Sequence, residues 1–137
     1  MPRQTENVLR GMTLALVLAT GLHCSMGTND DALRGSWRWT QSVGGFAGWT
    51  LTPTTEGYAQ RLELEPGGRF AFVRADSLMA TGTFSIETEG EQTVIRYRTD
   101  SSWWFLAGGQ QLRRPSPDTL VLRDRCTDCY THTFVRR

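Results

Sequence analysis

The sequence predicts an all-β protein, an eight-stranded antiparallel up-and-down β-barrel preceded by an N-terminal signal segment, and three observations predict it. Between Leu33 and Arg137 about eight short runs alternate apolar and polar residues, the period of two shown by a half-buried strand. Gly, Pro, Asp and Ser cluster between most of these runs, in connections of about two to five residues that suit antiparallel neighbours. After residue 24 no amphipathic helical period of any length appears. Strands of this kind turn one face into a shared interior, either filled with side chains or left open for a ligand.

The first element is a targeting segment. Arg3 and Arg10 precede the apolar run 12–19, which is too short to span a bilayer, and the small residues Thr20 and Gly21 follow it. Ala19 and Gly21 fit cleavage before Leu22 and release of a soluble protein. Alternatively, Cys24 stands between the apolar run and a polar stretch and resembles the lipid-modified cysteine of bacterial lipoproteins, with Gly21 and His23 where that family prefers Leu and a small residue. Residues 1–24 are therefore read as a signal peptide, residues 25–32 as a flexible polar leader and residues 33–137 as the barrel domain. The expected destination is outside the cytoplasm: the periplasm, the outer membrane through an acylated Cys24, or the medium.

Charge excludes one class of partner. All 15 basic residues are arginine, and removing residues 1–24 takes away Arg3, Arg10 and Glu6, leaving a formally neutral domain with dispersed arginines. Nucleic acid, which requires a clustered positive field, is not an expected partner.

In the first strand, residues 36–43, Trp37 and Trp39 share one face. Gly44-Gly45-Phe46-Ala47-Gly48-Trp49 breaks the pattern, and Pro53 and Gly57 extend an irregular stretch whose Phe and Trp are expected to pack on something. Residues 58–65 and 69–75 form the clearest hairpin, with Leu62, Leu64, Phe70 and Phe72 inward around Pro66-Gly67-Gly68. A fourth strand carries Phe84 and Ile86, a fifth (93–99) carries Ile95 and Tyr97, and the apolar run 103–106 is read as the sixth. Gly108 to Asp118 is read as a long turn, residues 119–123 as a strand with Leu120 and Leu122 on one face, and residues 130–136 as the last strand with Tyr130, His132 and Phe134 together.

Leu33-x-Gly35-x-Trp37 at the start, Arg136 at the end and the meander between them resemble the lipocalin superfamily, in particular small bacterial lipocalin-like envelope proteins with a Gly-Gly-x-x-Gly loop after the first strand. The resemblance implies that Trp37 plugs the closed end and that Arg136 packs across its ring, a contact that contributes roughly 0.5–2 kcal/mol when partly desolvated. It also implies a non-enzymatic monomer without a cofactor that binds or shields a small hydrophobic molecule.

With Trp37 at the closed end, up-and-down topology puts Phe46, Trp49, Trp103 and the Cys126–Cys129 turn on one rim. Phe46 and Trp49 are then expected to form a lid over an apolar cavity walled by Trp39, Leu64, Phe72, Phe84 and Tyr97. The rival expectation is a solid barrel whose Phe46, Trp49, Trp103 and Trp104 dock an envelope protein.

Cys126-Thr127-Asp128-Cys129 reads most simply as a disulfide closing the last hairpin. A thioredoxin-type motif would want the first Cys at a helix N-terminus, and a metal site drawing on His132 lacks a second ligand pair at zinc spacing. A Ser-His-Asp triad would have to use His132; no Gly-x-Ser-x-Gly elbow exposes a serine, so His132 is read as an ordinary strand residue. Glu87, Glu89 and Glu91 are read as solvated, and no catalytic or metal-binding residue is assigned.

Overall fold

The computed structural model describes residues 29–100, 102 and 107–137. The signal reading of residues 1–24 with Cys24, the leader up to residue 28, Trp103, Trp104 and the expected strand 103–106 lie outside the described residues. The strands are β1 (Gly35–Gly44), β2 (Trp49–Leu51), β3 (Gln60–Glu65), β4 (Arg69–Arg74), β5 (Ser77–Glu89), β6 (Gln92–Thr99), β7 (Gln110–Ser116), β8 (Thr119–Asp124) and β9 (Tyr130–Arg136). Among the described residues the short helices α1 (Asn29–Leu33) and α2 (Pro53–Glu56) accompany them.

Eight of these strands make a closed ring. From β3 to β9 each pairs antiparallel with the next, β1 pairs with β3, and β9 returns to β1 with Trp37 opposite Arg136 and Gly44 opposite Tyr130. Closure removes free edges from the ring, so its backbone donors and acceptors find partners within it. The short β2 folds back on the upper half of β1, where Ser42 faces Leu51 and Gly44 faces Trp49.

At the base, aromatic and aliphatic side chains fill the interior: Leu33, Trp37, Leu64, Phe70, Ile95 and Leu120 are all fully buried. Trp37 donates its indole N–H to the Leu33 carbonyl at 2.8 Å, so even its polar atom is satisfied. The Arg136 guanidinium lies 4.2 Å from the Trp37 ring centroid and donates to the carbonyls of Arg34 (2.8 Å) and Ala32 (3.0 Å). One side chain thus covers the plug and fastens the incoming chain with it.

Three elements differ from the sequence expectation. Residues 29–32, read as part of a flexible leader, belong to α1, and Arg136 binds the Ala32 carbonyl. The strand between β6 and β8 is β7, in the stretch read as a turn; of its inward Gln110, Leu112 and Arg114 only Leu112 is apolar, and Pro115 stands inside it, which hides the alternation that marks a strand. Pro115 is accommodated where the β7–β8 register shifts between Arg113 and Ser116. The irregular stretch after the first strand is ordered as a hairpin and a single turn of helix, with Thr52 capping α2 through a reciprocal bond with Thr55 and Gly57 ending it at φ 74°.

A register shift in β1 determines what faces inward above the plug. Between Trp39 and Gln41 the β1–β9 ladder skips Thr40. Below the shift Trp37 and Trp39 point inward; above it Ser42 does, and Val43 is turned to solvent.

Arg136→Ala removes the cation over Trp37, three carbonyl bonds and the ion pair with Asp118. It is expected to lower stability by about 2–4 kcal/mol in urea unfolding, and Arg136→Lys, which lacks the planar fork, to recover less than half of that.

Candidate functional site

Above the base the barrel is hollow. A cavity of about 130 Å³ opens toward the end where the β1–β2 and β8–β9 connections lie. Leu62, Leu122 and Phe134 form its lower part, Trp39 and Phe72 its apolar walls, and Leu51, Tyr58, Arg74 and Tyr130 its upper part. The Arg74 guanidinium sits 4.7 Å from the Tyr58 ring centroid and is held by Gln60, and Tyr58 lies alongside Trp39 with ring centroids 6.2 Å apart.

Of the expected wall, Trp39, Phe72 and Tyr97 do line the cavity. Leu64 and Phe84 instead belong to the packed core and do not reach the cavity. The expected lid is absent from the cavity too: Phe46 is 96% exposed and Trp49 63% exposed. Gly44, Gly45 and Gly48 fold the tip into a tight turn, with a Gly48 N–H to Gly45 carbonyl bond of 3.1 Å, and β2 then returns along β1. Both aromatics therefore ride outward on the hairpin. Leu51 and Tyr58, from the same stretch, are the residues that reach the cavity.

The Cys126–Cys129 turn shares this end, joined as a disulfide with Cα atoms 5.5 Å apart. Both sulfurs are engaged, so neither serves as a thiolate nucleophile or metal ligand in this state. Gly44 is required beside it, because a Cβ there would meet the Cys129 carbonyl oxygen at 2.2 Å.

One wall carries a continuous chain of polar side chains that the sequence reading did not assemble. Trp39 Nε1 donates to Ser42 Oγ at 2.8 Å, and Ser42 Oγ stands 2.6 Å from His132 Nδ1. His132 Nε2 is 3.1 Å from Asp124 Oδ2, and the other Asp124 oxygen accepts from Gln110 Nε2 at 2.7 Å. Gln110 Oε1 in turn accepts from the Tyr97 hydroxyl at 2.9 Å. Ser42, Gln110 and Asp124 are the buried polar residues of the described part of the chain, and each is partnered. Paired in this way, the buried carboxylate has two hydrogen bonds to offset a desolvation cost of several kcal/mol.

With the imidazole neutral, donor chemistry sets the direction of the chain. An indole N–H can only donate, so Ser42 accepts there and its own proton is left for His132 Nδ1; a carboxylate can only accept, so Nε2 carries the imidazole proton. The signal missed in the sequence was the skipped residue in β1, because it alone brings Ser42 to the face that Trp39 occupies.

No protein-family profile matches the chain, and no curated protein does. Among solved structures it is similar to a de novo designed fluorescence-activating β-barrel, at 18% identity over 79% of this chain and 96% of that one, with a TM-score of 0.47.

Burial, and secondarily the Asp124 charge, push the Tyr97 hydroxyl well above the ordinary phenol range. Unfolding returns it to an ordinary value of about 10, so its contribution is complete below that pH and is lost as pH rises beyond it. Tyr97→Phe is expected to cost about 1 kcal/mol at neutral pH and to flatten the loss of stability above about pH 10, read from urea midpoints across the alkaline range. Reducing Cys126–Cys129, whose ring spans a sequence separation of 3, is expected to lower stability by about 2 kcal/mol or less in the same assay.

Proposed function

We propose that the protein is an exported, lipocalin-like barrel that binds a small hydrophobic molecule in its upper cavity. The observation that carries this reading is the hollow itself: the interior is packed below and open above, and the open part is walled by Trp39, Leu51, Phe72 and Phe134. The polar chain on one side is already satisfied within the protein, so an apolar guest meets no unpaired donor along that wall. Size narrows the guest. An apolar cavity of about 150 Å³ takes up benzene, so about 130 Å³ suits a one-ring aromatic or a short branched hydrocarbon, and a long acyl chain would extend out of the mouth. Export is supported by the Arg3 and Arg10 segment ahead of the apolar run and by a disulfide, which persists in oxidising compartments. Tethering through Cys24, and the alternative of release after Gly21, are both compatible with this role.

A second reading, an envelope protein-docking module, is favoured by Phe46 and Trp49 standing exposed together at the mouth. Phe46→Ser with Trp49→Ser separates the two, since it removes the docking patch and leaves the cavity walls in place.

Toluene is expected to raise the unfolding temperature and to show saturation transfer in ligand-observed NMR. A tenfold excess over its dissociation constant corresponds to about 1.4 kcal/mol of stabilisation. Phe72→Trp, which fills the cavity, is expected to abolish both effects; no uptake of any one-ring aromatic by the folded protein overturns the binding reading.

A further inference from the structure

We propose that Ser42 is an activated nucleophile that captures small acyl or sulfonyl electrophiles entering the cavity, with His132 as its general base and Asp124 as the residue that positions the histidine. The inference rests on the cavity admitting small molecules and adds a covalent step to the binding reading.

Three observations converge on it. Ser42 Oγ and His132 Nδ1 are 2.6 Å apart, within the reach that proton abstraction requires. For a neutral imidazole the hydrogen bonds are those a general base needs: the Trp39 N–H occupies one Oγ lone pair and leaves the hydroxyl proton for Nδ1, while Asp124 accepts the imidazole proton from Nε2. The layers are also in order. Ser42 and His132 line the cavity, whereas Asp124 sits behind them, buried and pinned through its second oxygen by Gln110. The imidazole is turned relative to the serine-protease arrangement, with Nδ1 rather than Nε2 facing the hydroxyl; either ring nitrogen accepts a proton when the other is held by a carboxylate.

With phenyl acetate, the Oγ–carbonyl carbon bond forms and the carbon–phenolate bond breaks. The hydroxyl proton moves to His132 Nδ1 and then to the departing phenolate, leaving acetyl-Ser42. Ser42 lies in a strand flanked by both β2 and β9, opposite Leu51 and His132, so its backbone is occupied by sheet pairing rather than arranged as an oxyanion hole. The expected outcome is accordingly slow, single capture rather than rapid turnover, since an oxyanion donor alone supplies about 10²–10³ in rate.

The test uses methanesulfonyl fluoride, an electrophile small enough for the cavity. Oγ attacks sulfur, the S–F bond breaks, fluoride leaves, and the hydroxyl proton passes through His132 to solvent. Intact mass is expected to show one methanesulfonyl group per folded chain, peptide mapping to place it on Ser42, and toluene to slow the reaction by occupying the cavity. His132→Gln is expected to slow labelling roughly 100-fold. Asp124→Asn is expected to slow it, and Asp124→Glu, which keeps the carboxylate, to recover part of the rate, a rescue that bulk or packing alone would not produce. Peptide mapping of the unmodified sequence decides the matter even where a variant does not fold. Folded protein left unlabelled at Ser42, or labelling equally fast in urea or in folded His132→Gln, overturns the proposal. Toluene uptake without labelling overturns the nucleophile alone; labelling at Ser42 without toluene uptake supports the nucleophile and counts against the binding reading.

Discussion

The seam between β1 and β9 is the constraint on which the rest of the molecule depends. Closing the ring there places Trp37 opposite Arg136, which brings the guanidinium over the indole and, through its other donors, draws the backbone of residues 32–34 across the base. The same seam contains the skipped residue at Thr40. With an uninterrupted alternation, Gln41 and Val43 would follow Trp39 into the interior, and Ser42 would face out. The extra residue exchanges the two sets, and one irregularity in the ladder separates an apolar plug from a partly polar chamber.

Side-chain volume explains why the chamber stays open. Below the shift the inward positions carry Trp37, Leu64, Phe70 and Leu120, enough bulk to close the base. Above it the corresponding positions on β1 are Ser42 and Gly44, the smallest inward residues of that strand. Gly44 also allows the Cys129 carbonyl to approach, which holds the β8–β9 turn against β1 at the mouth. A filled barrel and a hollow barrel are thus both present, one above the other.

Most of the architecture was legible in the sequence because period-two alternation is a direct consequence of strand geometry. The hairpin of β3 and β4, the inward Leu62, Leu64, Phe70 and Phe72, and the Cys126–Cys129 pair follow from it and from turn chemistry. β7 did not, because Leu112 alone between an inward Gln110 and Arg114 is too little to show an apolar period. Within the site, Trp39, Phe72 and Tyr97 were legible as inward aromatics, but Ser42, Gln110, Asp124 and the role of His132 were not. Each is an ordinary polar residue on its own strand, and only barrel closure sets them side by side. Phe46 and Trp49 show the converse, since composition marked them as packing residues while the hairpin turn carries them into solvent.

The polar chain is also a structural element of the ring. Tyr97, Gln110, Asp124, His132 and Ser42 lie on β6, β7, β8, β9 and β1, five consecutive strands, so the hydrogen bonds run as a belt around the wall and across the seam. A net contribution of about 1 kcal/mol per bond understates such a belt, because removing any member leaves a neighbour buried without a partner. Asp124 is the most demanding link: its two oxygens are held by His132 and Gln110, and losing either would leave one oxygen of a buried carboxylate without its partner. Stability and reactivity are therefore built from the same contacts. The bonds that lock the ring in its upper half are the ones that hold the Ser42 proton against His132, and rigidity there favours a preorganised hydroxyl instead of competing with it.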